Sequence, residues 1–335
     1  MSVRIGVNGF GRIGKGCVRA ALAYPEIEIA AINSNRDPQM LAHLLQYDST
    51  YGPLKGDIRG GNGFLSIDGK KIPLLSERDL SRLDWSSVGA DVVLESTGAF
   101  NNRQKAAEHL QGGAKKVIIT APAKDADLTV VMGVNHSQYN PAKHDVISNA
   151  SCTTNCLAPV IKVLHESFGV EEAFMTTVHA YTNDQRLLDG SHKDWRRARA
   201  GALSMIPTTT GAAKAVGLVI PDLDGKINGL AVRVPTPTVS LVDLVARVKE
   251  NITVDMLNET FSSYAEKELK GILAVESKPL VSVDFKGNTH SAIVDAPSTM
   301  ILGEKMVKVL AWYDNEWGYI SRVLDLAAYV GNAGH

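Results

Sequence analysis

Cysteine and histidine are the residues of this chain best able to do covalent chemistry near neutral pH. The 335 residues include 3 cysteines and 9 histidines. Cys152 stands in SNASCTTNC (148–156), which follows a strand-like run and opens a helical one. Thiolate is the reactive form of cysteine, and a helix N-terminus lowers a free thiol from its usual pKa of about 8.5. The hydroxyl-rich neighbours and the helix-start position mark Cys152 as a nucleophile. Cys156 falls one helical turn further in and reads as a small buried hydrophobe. Cys17 lies on the inner face of the first predicted helix and reads as core. A cysteine nucleophile works with a base. His179, in MTTVHAY (175–181), is near the end of a predicted strand. The polar TNDQR (182–186) after it reads as the rim of a site. Cys–His pairs also serve hydrolases, so the pair does not define the reaction.

Hydroxyls, backbone N–H groups and arginines are what phosphate recognition needs. The candidates are Thr208, Thr209, Thr210, Gly211, Arg196, Arg197, Arg199 and Arg233. Arg196 and Arg199 read equally as solvated or interface-facing charges. Arg233 interrupts the apolar run LAVRV (230–234), where a buried charge needs a partner. No cysteine or histidine spacing matches a structural zinc site.

A second motif concerns a cofactor. The strand-like run 3–8 leads into Gly9-Phe10-Gly11-Arg12-Ile13-Gly14, and a helical pattern follows. In that context the first glycine permits the turn, the second admits a pyrophosphate and the third lets helix and strand pack. The helix N-terminus adds free N–H groups for the anion. An NAD-selecting fold places an acid about 20 residues on. Here the second strand ends in Asn33-Ser34-Asn35-Arg36, with no acid among them. A carboxylate would repel a 2′-phosphate, whereas Ser34 and Arg36 can bond one. This points to NADP. The alternative is that Asn33 bonds an NAD ribose and Arg36 is a solvated loop charge.

These residues need a scaffold. The first half alternates apolar runs (3–8, 28–33, 91–95, 116–120, 129–132, 145–148) with helical patterns (11–24, 40–47, 103–111). Between them, 55–75 is glycine-rich with Asp68-Gly69 and reads as hairpin structure. Strands separated by helices imply a parallel sheet. After a helix over 152–168, runs at 173–181, 229–234, 240–249, 281–285, 291–295 and 305–313 read as strands. They suggest an α+β unit with a mixed or antiparallel sheet. A helix over 317–330 closes the pattern. The length suggests about two domains. Hydrophobic residues at 44% and charged residues at 21% exclude a disordered or fibrous chain. A formal net charge of -1, from 35 basic and 36 acidic residues, gives no support to nucleic acid as the primary partner. No basic-then-apolar signal is read at the start, and no run approaches the ~18 apolar residues of a membrane span. The expected setting is the cytoplasm, or an organelle if a transit peptide precedes this sequence.

The segments IGVNGFGRIG (5–14), SNASCTTNCLAP (148–159), HAYTNDQR (179–186), PTTTGAAKAVG (207–217), RVP (233–235) and WYDNEWG (312–318) together resemble phosphorylating glyceraldehyde-3-phosphate dehydrogenase. The resemblance covers essentially the whole chain. It implies a homotetramer, with a Rossmann-type α/β dinucleotide-binding domain over 1–150 and 316–335 and an α+β catalytic domain over 151–315. It places the nucleophile on Cys152 and the base on His179. One phosphate subsite falls on Thr182, Asp184 and Arg233, and the inorganic-phosphate subsite on Ser151, Thr153, Arg197, Thr210 and Gly211. Cofactor contacts fall on Arg12, Ile13, Arg78, Thr97, Thr120 and Asn315, with Tyr319 lining the nicotinamide region. NAD-specific members resemble one another in carrying aspartate where this chain has Asn33, and Leu-Pro where it has Gly190-Ser191. On both counts this chain is closer to the NADP-using photosynthetic and gluconeogenic members. Their cysteine-bearing C-terminal extension has no counterpart in Asn332-Ala333-Gly334-His335.

The implied reaction turns glyceraldehyde 3-phosphate and inorganic phosphate into 1,3-bisphosphoglycerate, reversibly, through a thioester on Cys152, with NADP or NAD as oxidant. The nearest rival is erythrose-4-phosphate dehydrogenase, which HAYT (179–182) resembles less well. A Cys–His hydrolase or acyltransferase would lack the nucleotide fingerprint, and an RNA-binding role gains nothing from the near-neutral charge.

Overall fold

The computed structural model describes residues 2–333. The chain divides into two compact units. One comprises residues up to 130, 136–150 and those from 320 on; the other comprises 131–135 and 151–319.

Among the described residues the first unit holds a nine-stranded sheet. Its strands are β1 (Val3–Asn8), β2 (Ile27–Asn33), β3 (Ile58–Gly61), β4 (Phe64–Ile67), β5 (Lys70–Leu75), β6 (Val92–Glu95), β7 (Lys116–Ile119), β8 (Leu128–Thr129) and β9 (Val146–Ser148). They lie in the order β3-β4-β5-β2-β1-β6-β7-β9-β8. The central pairs are parallel. The pairs β3–β4 and β4–β5 are the antiparallel hairpins expected of 55–75. Strands buried on both faces read as unbroken apolar runs, as β6 does. The helices here are α1 (Arg12–Ala21), α2 (Pro38–Gln46), α3 (Arg103–Ala106) and α4 (Glu108–Gln111). The single helix expected over 103–111 is split, because Leu110 N bonds to Ala107 O in a tighter turn. The strand expected at 129–132 shrinks to β8.

The second unit contains α5 (Cys152–Phe168), β10 (Val170–Ala180), β11 (Ile206–Thr208), α6 (Ala212–Val219), β12 (Ile227–Val234), β13 (Ser240–Val248), α7 (Val254–Glu266), β14 (Leu273–Glu276), β15 (Ala292–Asp295), β16 (Met300–Leu302) and β17 (Met306–Tyr313). The sheet order is β11-β12-β10-β13-β17-β15-β14, with β16 paired to β17. It is mixed: β10–β12 and β14–β15 are parallel, and the other pairs are antiparallel. Helix α5 packs on one face, against β10, β13, β15 and β17. The strand expected at 281–285 is a helical turn over Ser282–Phe285, because the Asp284 carboxylate accepts from Val281 N at 2.9 Å and curls the chain. Helices α6 and α7 lack a sequence expectation; α6 is apolar nearly all round. The last helix, α8 (Trp317–Asn332), belongs to the first unit from Ile320 on. It closes on α1 at Gly16, where a Cβ would lie 2.2 Å from Ile320 Cδ1.

One buried ion cluster pins α1 to the loop after α2. Asp48 accepts from Lys15 Nζ at 2.7 Å and Arg12 Nη1 at 2.6 Å, and from the backbone of Thr50 and Tyr51. Burial pushes its carboxyl up, but the Lys15 ammonium, the Tyr51 N–H and the Arg12 guanidinium together hold it well below the ordinary range. A depressed carboxyl adds stability above its unfolded pKa and loses it as pH falls towards the folded value. Asp48→Asn is therefore expected to cost about 3 kcal/mol at pH 7, since it strands two cations. The gap to the parent protein should narrow below about pH 4. Chemical unfolding at pH 7 and pH 3 measures it; an equal gap at both would assign the loss to packing.

Candidate active site

Helix α5 presents Cys152 as its first residue. Ser151 caps it, its hydroxyl accepting from Thr154 N at 3.0 Å. Cys152 Sγ lies 3.4 Å from Nε2 of His179 on β10. His179 and Arg233 are register partners on the parallel strands β10 and β12, which explains the charge inside an apolar run. His179 Nδ1 is 2.7 Å from Ala180 O and 2.9 Å from Arg233 Nη1. With Nδ1 protonated and donating to Ala180 O, Nε2 offers its lone pair to the thiol. With Nδ1 accepting from Arg233, Nε2–H donates to a thiolate. One ring placement thus serves both forms of the sulfur.

Arg233 Nη1 also donates to Ala180 O and Thr182 Oγ1, each at 3.1 Å. The Thr182 hydroxyl donates to Asp184. The other Asp184 oxygen accepts from Arg197 Nη1 at 2.5 Å. Arg197 continues to Thr208 Oγ1 at 2.9 Å and Thr209 O at 3.2 Å. Burial pushes the Asp184 carboxyl up, yet the Thr182 hydroxyl and the Arg233 and Arg197 charges hold it below the ordinary range. The Thr210 hydroxyl accepts from the N–H of Ala212, the first residue of α6, and the N-cap residue Gly211 has no side chain to offer. Thr182, Asp184, Arg197 and Arg233 are thus one connected hydrogen-bonded set beside His179. Arg199 instead pairs with Asp189 at 2.7 Å on the surface, and Arg196 reaches Pro207 O.

The electrostatics differ from the sequence expectation for Cys152. Burial pushes its thiol up; the Arg233 charge and the Thr153 hydroxyl and N–H pull the other way without reversing it. Burial first, and Arg233 second, bring His179 down to about 3. Each charge alone is disfavoured. Proton transfer from Sγ to Nε2 makes two opposite charges at once, so the couple titrates as a pair. Cys17 and Cys156 are fully buried, and burial pushes the Cys17 thiol up to about 12.

In the first unit the glycine turn has the shape of an anion cradle. Gly9 sits at φ +94°, and a Cβ there would lie 2.8 Å from Thr97 N. At Gly14 a Cβ would meet Gly9 O at 2.0 Å. At Gly11, the uncapped start of α1, a Cβ would meet nothing within 4 Å. The turn is closed behind and open in front, which fits a pyrophosphate. Phe10 and Ile13 are half-buried in it. Thr97 and Thr120 close the neighbouring strand ends: Thr97 is held by the buried Glu95 carboxylate, and Thr120 by Glu95 O. The Arg12 side chain lies against Asp48 and the Tyr51 ring.

Asn33 does not stand open to a ribose, the contact that the NAD alternative invokes. Its amide donates to Asn8 Oδ1 at 2.7 Å and Glu77 O at 2.9 Å, and accepts from Glu77 N at 3.0 Å. It is a buried tie between β1 and the 77 loop. The polar groups left at the end of β2 are half-buried Ser34 and exposed Arg36, with exposed Arg78 in that loop. In the second unit Asn315 and Tyr319 are buried, and Asn315 accepts from Ser240 Oγ at 2.9 Å.

The N- and C-terminal parts match two models of one family. Residues 3–103 match the glyceraldehyde 3-phosphate dehydrogenase NAD binding domain, and 151–315 match the C-terminal domain. The chain is 58% identical over 334 residues to the glyceraldehyde-3-phosphate dehydrogenase of Geobacillus stearothermophilus, covering 100% of both chains. It is 56% identical, again over 100% of both, to glyceraldehyde-3-phosphate dehydrogenase 1 of Bacillus subtilis (strain 168). The Streptomyces coelicolor glyceraldehyde-3-phosphate dehydrogenase is 52% identical over 99% of each. The chain belongs to the glyceraldehyde-3-phosphate dehydrogenase family. The dehydrogenase motifs left two groups unread. One is Tyr313 under the Cys152 turn. The other is the buried chain from Asn33 through Asn8, Glu95 and His109 to Trp85. An acid ending the apolar run DVVLE is the one signal that could have flagged the latter.

Proposed function

We propose that the protein oxidises glyceraldehyde 3-phosphate with inorganic phosphate to 1,3-bisphosphoglycerate, using Cys152 as nucleophile and His179 as base. The observation that carries this is the Sγ–Nε2 distance of 3.4 Å at the start of α5, with the Arg233–Thr182–Asp184–Arg197 set alongside. Cys152 Sγ attacks the aldehyde carbon, a C–S bond forms and the carbonyl electron pair moves to oxygen, which takes up a proton. His179 then accepts that hydroxyl proton as the carbon is oxidised, help typically worth ~10²–10⁴-fold. When bound, a nicotinamide dinucleotide supplies the hydride acceptor; the Gly9–Gly14 turn, Thr97, Thr120, Asn315 and Tyr319 are assigned to hold it. A phosphate oxygen attacks the resulting thioester, the C–S bond breaks and Cys152 leaves as thiolate. Thr182, Asp184 and Arg233 are assigned to the substrate's phosphate, and Ser151, Thr153, Arg197, Thr210 and Gly211 to the incoming one.

NADP is the preferred cofactor in this reading, with NAD usable. The carrying feature is the lack of a carboxylate at the end of β2, with Ser34 and Arg36 as the 2′-phosphate partners. Because Asn33 is tied internally, position 34 is the one to test. Ser34→Asp should lower kcat/KM for NADP by roughly 10²-fold through like-charge repulsion and leave NAD much less affected. An unmoved NADP/NAD ratio would mean the 2′-phosphate is not read there. Initial rates with glyceraldehyde 3-phosphate, phosphate and each cofactor test the whole reading; turnover with neither overturns it. Exposed apolar side chains at Leu187, Leu188, Trp195, Leu203 and Met205 support assembly with further copies, the homotetramer that the resemblance implies.

A further inference from the structure

Val239, in the second unit, holds a backbone conformation that its own side chain opposes: its φ is +67°. A β-branched residue in the left-handed region is strained, and such strain persists only where the surroundings over-determine it. Val239 is buried in a small core with Phe285 and Ile293. It separates two hydroxyls that bond two consecutive residues. Thr238 Oγ1 donates to Asp314 Oδ1 at 3.0 Å, and Ser240 Oγ donates to Asn315 Oδ1 at 2.9 Å. Asp314 is braced further, accepting from the backbone N–H groups of Gly287, Glu316 and Trp317. The strained turn thus grips the chain that follows β17 at two successive side chains.

Ser240 opens β13, which lies between β10 and β17 in the sheet, and it is 1% exposed. Its oxygen accepts from Ala180 N, at the end of β10, at 3.0 Å. A backbone N–H can only donate, so the one proton of Ser240 goes to Asn315. With the Asn315 amide turned over, its NH₂ would face an oxygen already accepting from Ala180, and the buried Ser240 proton would lose its acceptor, a costly arrangement. The hydroxyl therefore fixes which end of the amide it holds. Asn315 is 6% exposed. Its Nδ2 has no hydrogen-bond partner among the described residues and is not sealed from solvent. What Asn315 has left to offer is a donor, which suits a carbonyl oxygen and not an amino group. Accepting from Ser240 at Oδ1 also polarises the amide and strengthens its N–H.

We propose that Ser240, aimed by the strained turn at Val239, is a positioning residue that locks the Asn315 amide as a hydrogen-bond donor for the carbonyl group on the cofactor's pyridine ring. The inference rests on the assignment of Asn315 to the nicotinamide dinucleotide. The test is calorimetric titration of cofactor-free protein with NADP or NAD, whichever binds tighter, and with its 3-acetylpyridine analogue, which keeps the carbonyl and lacks the amino group. Ser240→Ala leaves Oδ1 without a donor whenever Nδ2 serves the cofactor, so it is expected to weaken binding of both about 3- to 10-fold. Ser240→Cys, of similar size with a weaker donor, should weaken it by less. Asn315→Ala should weaken both ligands alike. In the Asn315→Ala background, Ser240→Ala should change affinity by less than about 2-fold, because the residue it acts through is gone. A residue that only braces the sheet would show the same loss in both backgrounds, and that result overturns the proposal. A loss in Asn315→Ala confined to the natural cofactor would mean that the amide presents its oxygen, and overturns it too. If Ser240→Ala does not fold, Ser240→Cys in the two backgrounds decides. If Asn315→Ala binds both ligands as the parent does, the cofactor assignment of Asn315 falls and the proposal with it.

Discussion

Cys152→Ala should reduce turnover of glyceraldehyde 3-phosphate by about 10⁵-fold or more, the usual scale for removing a covalent nucleophile. The loss belongs to chemistry, not to folding. Sγ stands at the very start of α5, and the Ser151 cap that fixes this turn uses the Thr154 N–H, not the sulfur. Alanine is also the best helix former at such a position. The glycine turn of the first unit is untouched, so nicotinamide dinucleotide binding, followed by fluorescence, should stay within about 2-fold of the parent by this reasoning. A variant that kept a hundredth of the activity would remove the thioester from the scheme.

The second large effect is His179→Asn, expected to lower kcat by roughly 10²–10⁴-fold. Asparagine can still donate an amide hydrogen towards the sulfur, but it cannot take up a proton. The fast first-turnover formation of reduced cofactor should slow together with steady-state turnover, because the base acts before and during the oxidation. The KM for inorganic phosphate should change little, since Arg197, which the proposal assigns to the incoming phosphate, keeps its bonds to Asp184 and Thr208. A first turnover as fast as that of the parent protein would reassign the base.

The site was legible where chemistry is local. A helix start with serine before and threonine after a cysteine announces its cap. The strand–turn–helix of residues 3–21 likewise announces its open turn. What sequence could not supply is which polar atoms are already occupied. Asn33 looked available because spacing gives position but not partners, and its amide is consumed by Asn8 and Glu77. Tyr313 went unread because its partners lie 160 and 136 residues away. In the fold, periodicity separated the two sheets, but it misread 281–285, where one aspartate outweighs β-branched neighbours. It also passed over α6, whose apolar faces leave no contrast to detect. The helix N-terminus argument predicted a lowered thiol, and burial outweighed it.

The return of α8 to α1 has a meaning for synthesis as well as for structure. Ile320 fills the space that Gly16 leaves, and Gly331 comes up against Val3, where a Cβ would lie 2.3 Å from a methyl carbon. Residues 3 and 16 therefore have these partners more than 300 positions further along the chain. The second unit, made of 131–135 and 151–319, has its own residues in hand sooner. The first must keep β1 and the buried face of α1 waiting, partly uncovered, until α8 emerges. Long-range closure of this kind slows folding and exposes sticky surface in the interval. In a crowded cell the nascent chain is thus most vulnerable around β1 and α1, and a frameshift just ahead of α8 leaves the chemistry encoded but the cofactor-side core unsealed.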